Sequence, residues 1–263
     1  MFAYDYKGKN LNEADVFLQT VSVEYGRYAP ANTNYIVTRV FKKRPDGTYQ
    51  YPFTRDVWAG GTNGGKSCYQ LAVNEGWYLT MNGGLNEGLC IENGILVTDV
   101  TATTHAGSIP LTIDSNGDLG YVNTNTTGTG QALVNSGIVS ATCGFSPIIN
   151  NYENFDYSST PLGDGATPAQ RNIIGQFENG DYCIITGEGR NFANSTGFTI
   201  SQMQDFCKSL GLKFAYCLDG GGSTQTVLGL KNLNHIYEND TGRTLASMIV
   251  FNGKTTFEKP IQS

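Results

Sequence analysis

One stretch constrains this chain more than any other: Phe214 to Leu228, FAYCLDGGGSTQTVL. An apolar run, Phe214–Leu218, stops at Asp219 and three glycines, Gly220, Gly221 and Gly222. Ser223, Thr224, Gln225 and Thr226 follow, then Val227 and Leu228. This reads as strand, glycine loop, strand. Three consecutive glycines carry a backbone entropy cost that a plain turn rarely needs. They suit a place where backbone approaches a ligand closely, or where successive N–H groups form an anion-binding concavity. A loose loop between two strands fits the same letters. The adjoining carboxylate and hydroxyls favour a site.

The elements that deliver the chain to this loop are also legible. Thr199 and Gln202 form a capping box. Ile200, Met203, Phe206, Cys207 and Leu210 then recur at helical spacing, and Gly211 ends the helix. Before it, 171–177 and 181–186 flank Glu178-Asn179-Gly180, a hairpin with an Asn-Gly turn. Residues 35–41 read as a strand, as do 78–81, which run into Asn82-Gly83-Gly84, and 244–251 near the end. Asn150–Gln170 reads as a long polar loop, either a lid or rim or a disordered insert. With 33 glycines, 15 tyrosines, 13 phenylalanines and only 15% charged residues, the expected class is α+β. It is a mixed, largely antiparallel sheet packed with few helices in a single globular domain. Residues 1–60 read as a β-rich extension or sheet edge, and 61–263 as the main domain.

Other features limit the function classes. A net charge of −6 and the lack of any basic cluster beyond Lys42-Lys43-Arg44 argue against nucleic acid. No run spans a bilayer and none reads as a signal peptide. The six cysteines form no CxxC and there are two histidines, so a zinc site is not expected. Residues 60–67, GGTNGGKS, match the phosphate-loop pattern GxxxxGKS. That motif works between a buried strand and a helix N-terminus. Here Arg55 and Asp56 precede it, and the repeated βα alternation of such folds is missing. A glycine-rich surface loop is the expected reading.

The chemistry gathers late in the chain. Arg171, Arg190 and Arg243 each stand at a strand start or end in a sequence otherwise poor in arginine. Three planar forks near a glycine loop suggest phosphate recognition. Glu188 and Asp219 also stand at strand ends. Two carboxylates with separated pKa values can serve as acid and as base or nucleophile in glycosyl transfer to water.

Taken in order, these pieces resemble the phosphodiester glycosidases, some of which remove N-acetylglucosamine from a sugar–phosphate diester. Leu218–Ser223 reproduces the family's LDGGGS. Asn82-Gly83-Gly84 resembles its NGG. Arg171-Asn172-Ile173-Ile174-Gly175 resembles its Arg-Thr strand start, with Asn172 in place of Thr. Glu188-Gly189-Arg190 resembles its Asp-Gly-Arg, with Glu for Asp. Asn234 and Arg243 resemble its late Asn and Arg. The resemblance covers roughly residues 70–252. It implies hydrolysis of a sugar 1-phosphodiester at the glycosidic bond, on a glycan or cell-wall polymer. Asp219 and Glu188 are then the catalytic candidates. Arg171, Arg190 and Arg243 would bind phosphate, the N–H groups of Gly220, Gly221, Gly222 and Ser223 would hold oxygens, and Asn82, Gly83 and Asn234 would contact the sugar. No cofactor is required on this reading. A calcium ion on loop oxygens is compatible with it, the metal site is unknown, and self-association is left open. An extracellular or virion-associated setting is favoured over the cytoplasm. The alternatives are a non-catalytic sugar-phosphate-binding module, a phage tail or cell-surface structural protein carrying this domain, and a nucleotide hydrolase built on Lys66.

Overall fold

The computed structural model describes residues 13–57, 64–84, 89–99, 108–123, 126–158, 165–237 and 241–251. In chain order the elements are α1 (Glu13–Leu18), β1 (Val21–Tyr28), β2 (Thr33–Val40), β3 (Phe53–Asp56), α2 (Cys68–Glu75), β4 (Leu79–Asn82), β5 (Cys90–Glu92) and β6 (Ile95–Thr98). There follow β7 (Leu111–Asp114), β8 (Leu119–Tyr121), α3 (Thr129–Asn135), β9 (Ile138–Thr142), β10 (Ser146–Asn150), β11 (Glu153–Asn154), β12 (Arg171–Gln176) and β13 (Tyr182–Gly187). The chain closes with α4 (Ile200–Ser209), β14 (Phe214–Cys217), β15 (Thr226–Leu228), β16 (Lys231–Asn232) and β17 (Ser247–Phe251).

Among the described residues the strands form three sheets, ordered β1-β2-β13-β12-β14-β10-β11, β16-β15-β4-β17-β3 and β6-β5-β9-β7-β8. Every pairing between named strands is antiparallel. The class is α+β, as the turn-rich composition suggests. No helix among the described residues is long and apolar enough to cross a membrane.

Burial explains the layering. The helix α4 forms where its sequence is capped: the Thr199 side chain accepts from the Gln202 N–H at 3.2 Å, and the Gln202 side chain accepts from the Thr199 N–H at 2.9 Å. Its apolar stripe, Ile200, Met203, Phe206 and Cys207, packs on Val37, Ile173, Cys183, Ile185, Ala215 and Cys217 of the seven-stranded sheet. The opposite face of that sheet, through Val40, Ile174, Tyr182, Ile184 and Tyr216, meets Leu79, Met81, Ile249 and Phe251 of the second sheet. The outer face of the second sheet, through Val227, Met248 and Val250, packs on Cys68, Leu71 and Ala72 of α2. The order is therefore helix, sheet, sheet, helix. Each fully buried Leu, Ile, Met or Phe in these layers contributes about 1.5–3 kcal/mol. Because β13 and β14 are covered on both faces, every residue in them is buried. They read as continuous apolar runs rather than as alternation.

Residues 21–40 form the edge pair β1–β2, and β2 is zipped to β13 along six registered positions from Tyr182↔Val40 to Gly187↔Tyr35. The stretch 150–170 starts with the short hairpin β10–β11; residues 159–164 lie outside the described residues. All six cysteines are free and buried, behaving as small apolar residues.

Candidate active site

Antiparallel register assembles the site. Arg171 at the start of β12 pairs with Gly187 at the end of β13, and Ile173 pairs with Cys217 at the end of β14. The residues just beyond, Gln170, Glu188 and Leu218–Asp219, therefore emerge at one end of the sheet. The end of β4 joins them, because the Asp219 N–H donates to the Gly83 carbonyl at 3.2 Å.

The glycine loop is held against Gln170. The Gly221 N–H donates to the Gln170 carbonyl at 2.9 Å. A Cβ at Gly220 would stand 2.7 Å from that same carbonyl oxygen, so only glycine fits without moving backbone. Gly221 has φ of 59°, and a Cβ there would lie 3.3 Å from the Arg190 guanidinium. The loop thus runs beneath Arg190, whose guanidinium stacks on Tyr237 at 4.3 Å. The Arg171 side chain passes beside Gly220 and donates to the carbonyls of Phe198 and Thr167 at 3.3 and 3.0 Å.

Asp219 sits at the centre of this positive surround. Burial pushes its carboxyl pKa up. Hydrogen bonds from Ser223 and from the Gly220 N–H (2.8 Å to Oδ1), and the charges of Arg243 and Arg171, pull it partly back. Two of the three arginines therefore act on Asp219 directly, and the third covers the loop that follows it.

Glu188, whose carboxyl is near the Gln170 side chain, is buried, at 5% exposure. Its Oε1 accepts from the His235 N–H at 2.8 Å. Its Oε2 has no hydrogen-bond partner, and the Gln170 amide faces the carboxyl outside hydrogen-bonding geometry. Burial pushes the Glu188 pKa up, with His235 and Gln170 opposing. An unpartnered buried carboxylate oxygen is unusual in a folded chain.

The asparagines that the sequence offers to a sugar are occupied internally. The Asn82 side chain donates to the Asp219 carbonyl at 2.7 Å. Its oxygen accepts from Asn172 Nδ2 at 2.8 Å and from the Gln225 N–H at 3.1 Å. Asn172 also donates to Thr226 Oγ1 and accepts from Thr186, which makes it the hub of a buried network. Asn234 caps the Thr226 N–H at 2.9 Å and donates to the carbonyls of Thr224 and His235. Gly83 is fixed by its N–H to the Ser247 carbonyl at 2.9 Å. These residues hold the loop; Arg171, Arg190, Glu188 and Asp219 surround it. Gln170, His235, Phe192 and Tyr237 belong to the same neighbourhood and carried no motif. Their only sequence signal is adjacency, to Arg171, Asn234 and Arg190.

The phosphate-loop letters lead elsewhere. Residues 60–63 lie outside the described residues. Of the rest, the Ser67 hydroxyl accepts from the Gln70 N–H at 3.1 Å as the cap of α2, and Lys66 pairs with Glu75 at 3.2 Å. The strand before them, β3, is an antiparallel edge strand, not the buried parallel strand that a phosphate loop requires. Among the described residues no three His, Cys, Asp or Glu side chains gather as a metal site.

The chain belongs to the phosphodiester glycosidase family, whose model matches residues 67–252. It is 26% identical over 237 residues to the SPbeta prophage-derived uncharacterized protein YomE of Bacillus subtilis (strain 168). That match covers 82% of this chain and 36% of the relative, so this chain spans about a third of the relative's length. Among solved structures it resembles the catalytic domain of zebrafish N-acetylglucosamine-1-phosphodiester alpha-N-acetylglucosaminidase, auto-inhibited by its pro-peptide. There the TM-score is 0.63 at 15% identity, covering 88% of this chain and 82% of that one. It also resembles a hypothetical protein from Synechocystis, with TM-score 0.62 at 11% identity, covering 89% and 62%. At these identities the two structures speak for the fold.

Proposed function

We propose that this chain hydrolyses the glycosidic bond of a sugar 1-phosphodiester in a glycan or cell-wall polymer, releasing the sugar. The observation that carries the reading is the arginine-flanked glycine loop: Asp219 is buried and feels the charges of Arg243 and Arg171, and Arg190 lies over Gly221. The arginine side suits the phosphate. Arg171, Arg190 and Arg243 bind it, and the N–H groups of Gly220–Ser223 supply further donors. Asp219 and Glu188 are the carboxyls that activate water or stabilise positive charge at the anomeric carbon. Burial raises the pKa of both, and at Asp219 the charges of Arg243 and Arg171 oppose the rise. Phosphate is already a fair leaving group, so the demand for a general acid is modest. Asn82, Asn172 and Asn234 act by fixing the loop backbone, and Gly83 by anchoring the Asp219 N–H. The match to a prophage-derived relative supports an extracellular or particle-borne setting, where glycosyl-phosphate polymers of a cell wall are the natural substrate.

The test is a turnover screen on sugar 1-phosphodiesters with wild type, Asp219→Asn and Glu188→Gln. The reading expects free sugar from wild type and a large loss in both variants. Binding without turnover, equal in all three proteins, would instead make the chain a sugar-phosphate-binding module.

A further inference from the structure

The β1–β2 edge pair precedes the family-matched residues, yet it builds one wall of an open cleft of about 580 Å³ beside Glu188. The pairings Tyr25↔Ile36 and Arg27↔Asn34 place Tyr25, Asn34 and Ile36 on one face of the pair. Glu188, Phe192 and His235 stand in the facing wall. Tyr25 is 60% exposed, an aromatic ring left in water on an edge strand. Phe192, also exposed, stacks on His235 with ring centroids 3.8 Å apart.

The loop that carries Phe192 is preshaped. Arg190, Asn191, Ala193 and Asn194 all have φ between 46° and 63°, a region that costs non-glycine residues energy and persists only when neighbours impose it. The edge pair imposes it here. Arg27 donates to the Asn194 carbonyl at 3.1 Å, the Asn34 side chain donates to the Ala193 carbonyl at 3.5 Å, and the Asn34 N–H donates to Ser195 Oγ at 3.1 Å.

Exposed aromatic rings at Tyr25 and Phe192 suit a ligand with an apolar C–H face. Among the described residues that line the cleft there is no lysine or arginine, and one carboxyl, Glu188, which favours a neutral occupant. A volume of this size takes a drug-sized ligand, more than one pyranose ring. We propose that the cleft binds neutral glycan rings on the sugar side of the scissile bond, making the chain selective for oligosaccharyl over monosaccharyl phosphodiesters. This rests on the hydrolytic reading above for its catalytic half, and on the cleft alone for its binding half.

The experiment compares kcat/KM on trisaccharyl and monosaccharyl 1-phosphodiesters for wild type, Tyr25→Ala and Phe192→Ala, with thermal melts confirming that the exposed-residue variants fold. Wild type is expected to prefer the trisaccharide, and Tyr25→Ala to lower that preference roughly tenfold, the loss of one stacked aromatic contact. An unchanged ratio in both folded variants overturns the proposal. If wild type hydrolyses neither substrate, the hydrolytic reading fails separately. Calorimetric titration with neutral trisaccharides of N-acetylglucosamine, glucose and galactose then decides. Binding that Tyr25→Ala weakens upholds the cleft assignment, and no binding to any of them sinks it.

Discussion

Replacing Glu188 by Gln separates what the site needs for chemistry from what the fold needs for stability. The side chain is buried at 5% exposure, one oxygen accepts from the His235 N–H, and the other is unpartnered. A buried polar group without a partner costs about 1–3 kcal/mol, and more when it is charged. Gln keeps the shape and the acceptor for His235 and removes the charge, so it recovers part of that cost, about 1 kcal/mol. For a chain of this size that is a rise in Tm of about 2–4 °C. Burial raises the folded-state pKa of Glu188. Its contribution to stability is thus complete below the unfolded carboxylate pKa of about 4.3 and is lost as pH rises through the higher folded value. The gain from Gln should accordingly be largest near pH 8 and fade as pH falls towards about 4.3. Over the same substitution, hydrolysis should drop by about 10²- to 10⁴-fold. Differential scanning calorimetry of both proteins across this pH range, alongside the turnover assay, reads both effects. A variant less stable than wild type at high pH, or a Tm difference that does not change with pH, would refute the claim that Glu188 is a desolvated carboxylate.

Three further outcomes follow from the geometry. Gly220→Ala puts a methyl 2.7 Å from the Gln170 carbonyl oxygen, and the forced backbone shift should cost about 1–3 kcal/mol and most of the activity, seen in a denaturant melt and the turnover assay together. Asn82→Ala strands the Gln225 N–H and removes one of the acceptors of the Asn172 amide, so it should destabilise by about 1–3 kcal/mol; a change in KM with no change in melting would instead favour direct sugar contact. Lys66→Ala removes only a half-exposed pair with Glu75, costs about 0–1 kcal/mol, and should leave nucleotide titrations of both proteins equally blank.

What could be read from the sequence was local. The capping box at Thr199 and Gln202, the Asn179-Gly180 hairpin and the Asp219–Gly222 loop each declare themselves within a few residues, and each has the expected form. Contacts between distant residues were hidden. Glu188 and Asp219 are both named by their motifs, but their common neighbour Gln170 is not, because its role comes from the register that starts β12 beside β13 and β14. His235 reaches Glu188 through its backbone N–H, a group that every non-proline residue has and no motif records. Asn82 looks in sequence like an amide offered to solvent; the approach of Asn172 and Gln225 turns it inward. The left-handed residues Arg190, Asn191, Ala193 and Asn194 have no sequence mark beyond the two asparagines; Arg27 and Asn34, distant in sequence, hold the carbonyls of Asn194 and Ala193.

The central claim is that water attacks the sugar carbon rather than phosphorus. Hydrolysis of a sugar 1-phosphodiester in water enriched in the heavy oxygen isotope, followed by mass spectrometry of both products, tests it most directly. The account predicts label in the anomeric hydroxyl of the released sugar and none in the phosphomonoester. Label in the phosphate, with the sugar phosphate or its partner alcohol released, would contradict it.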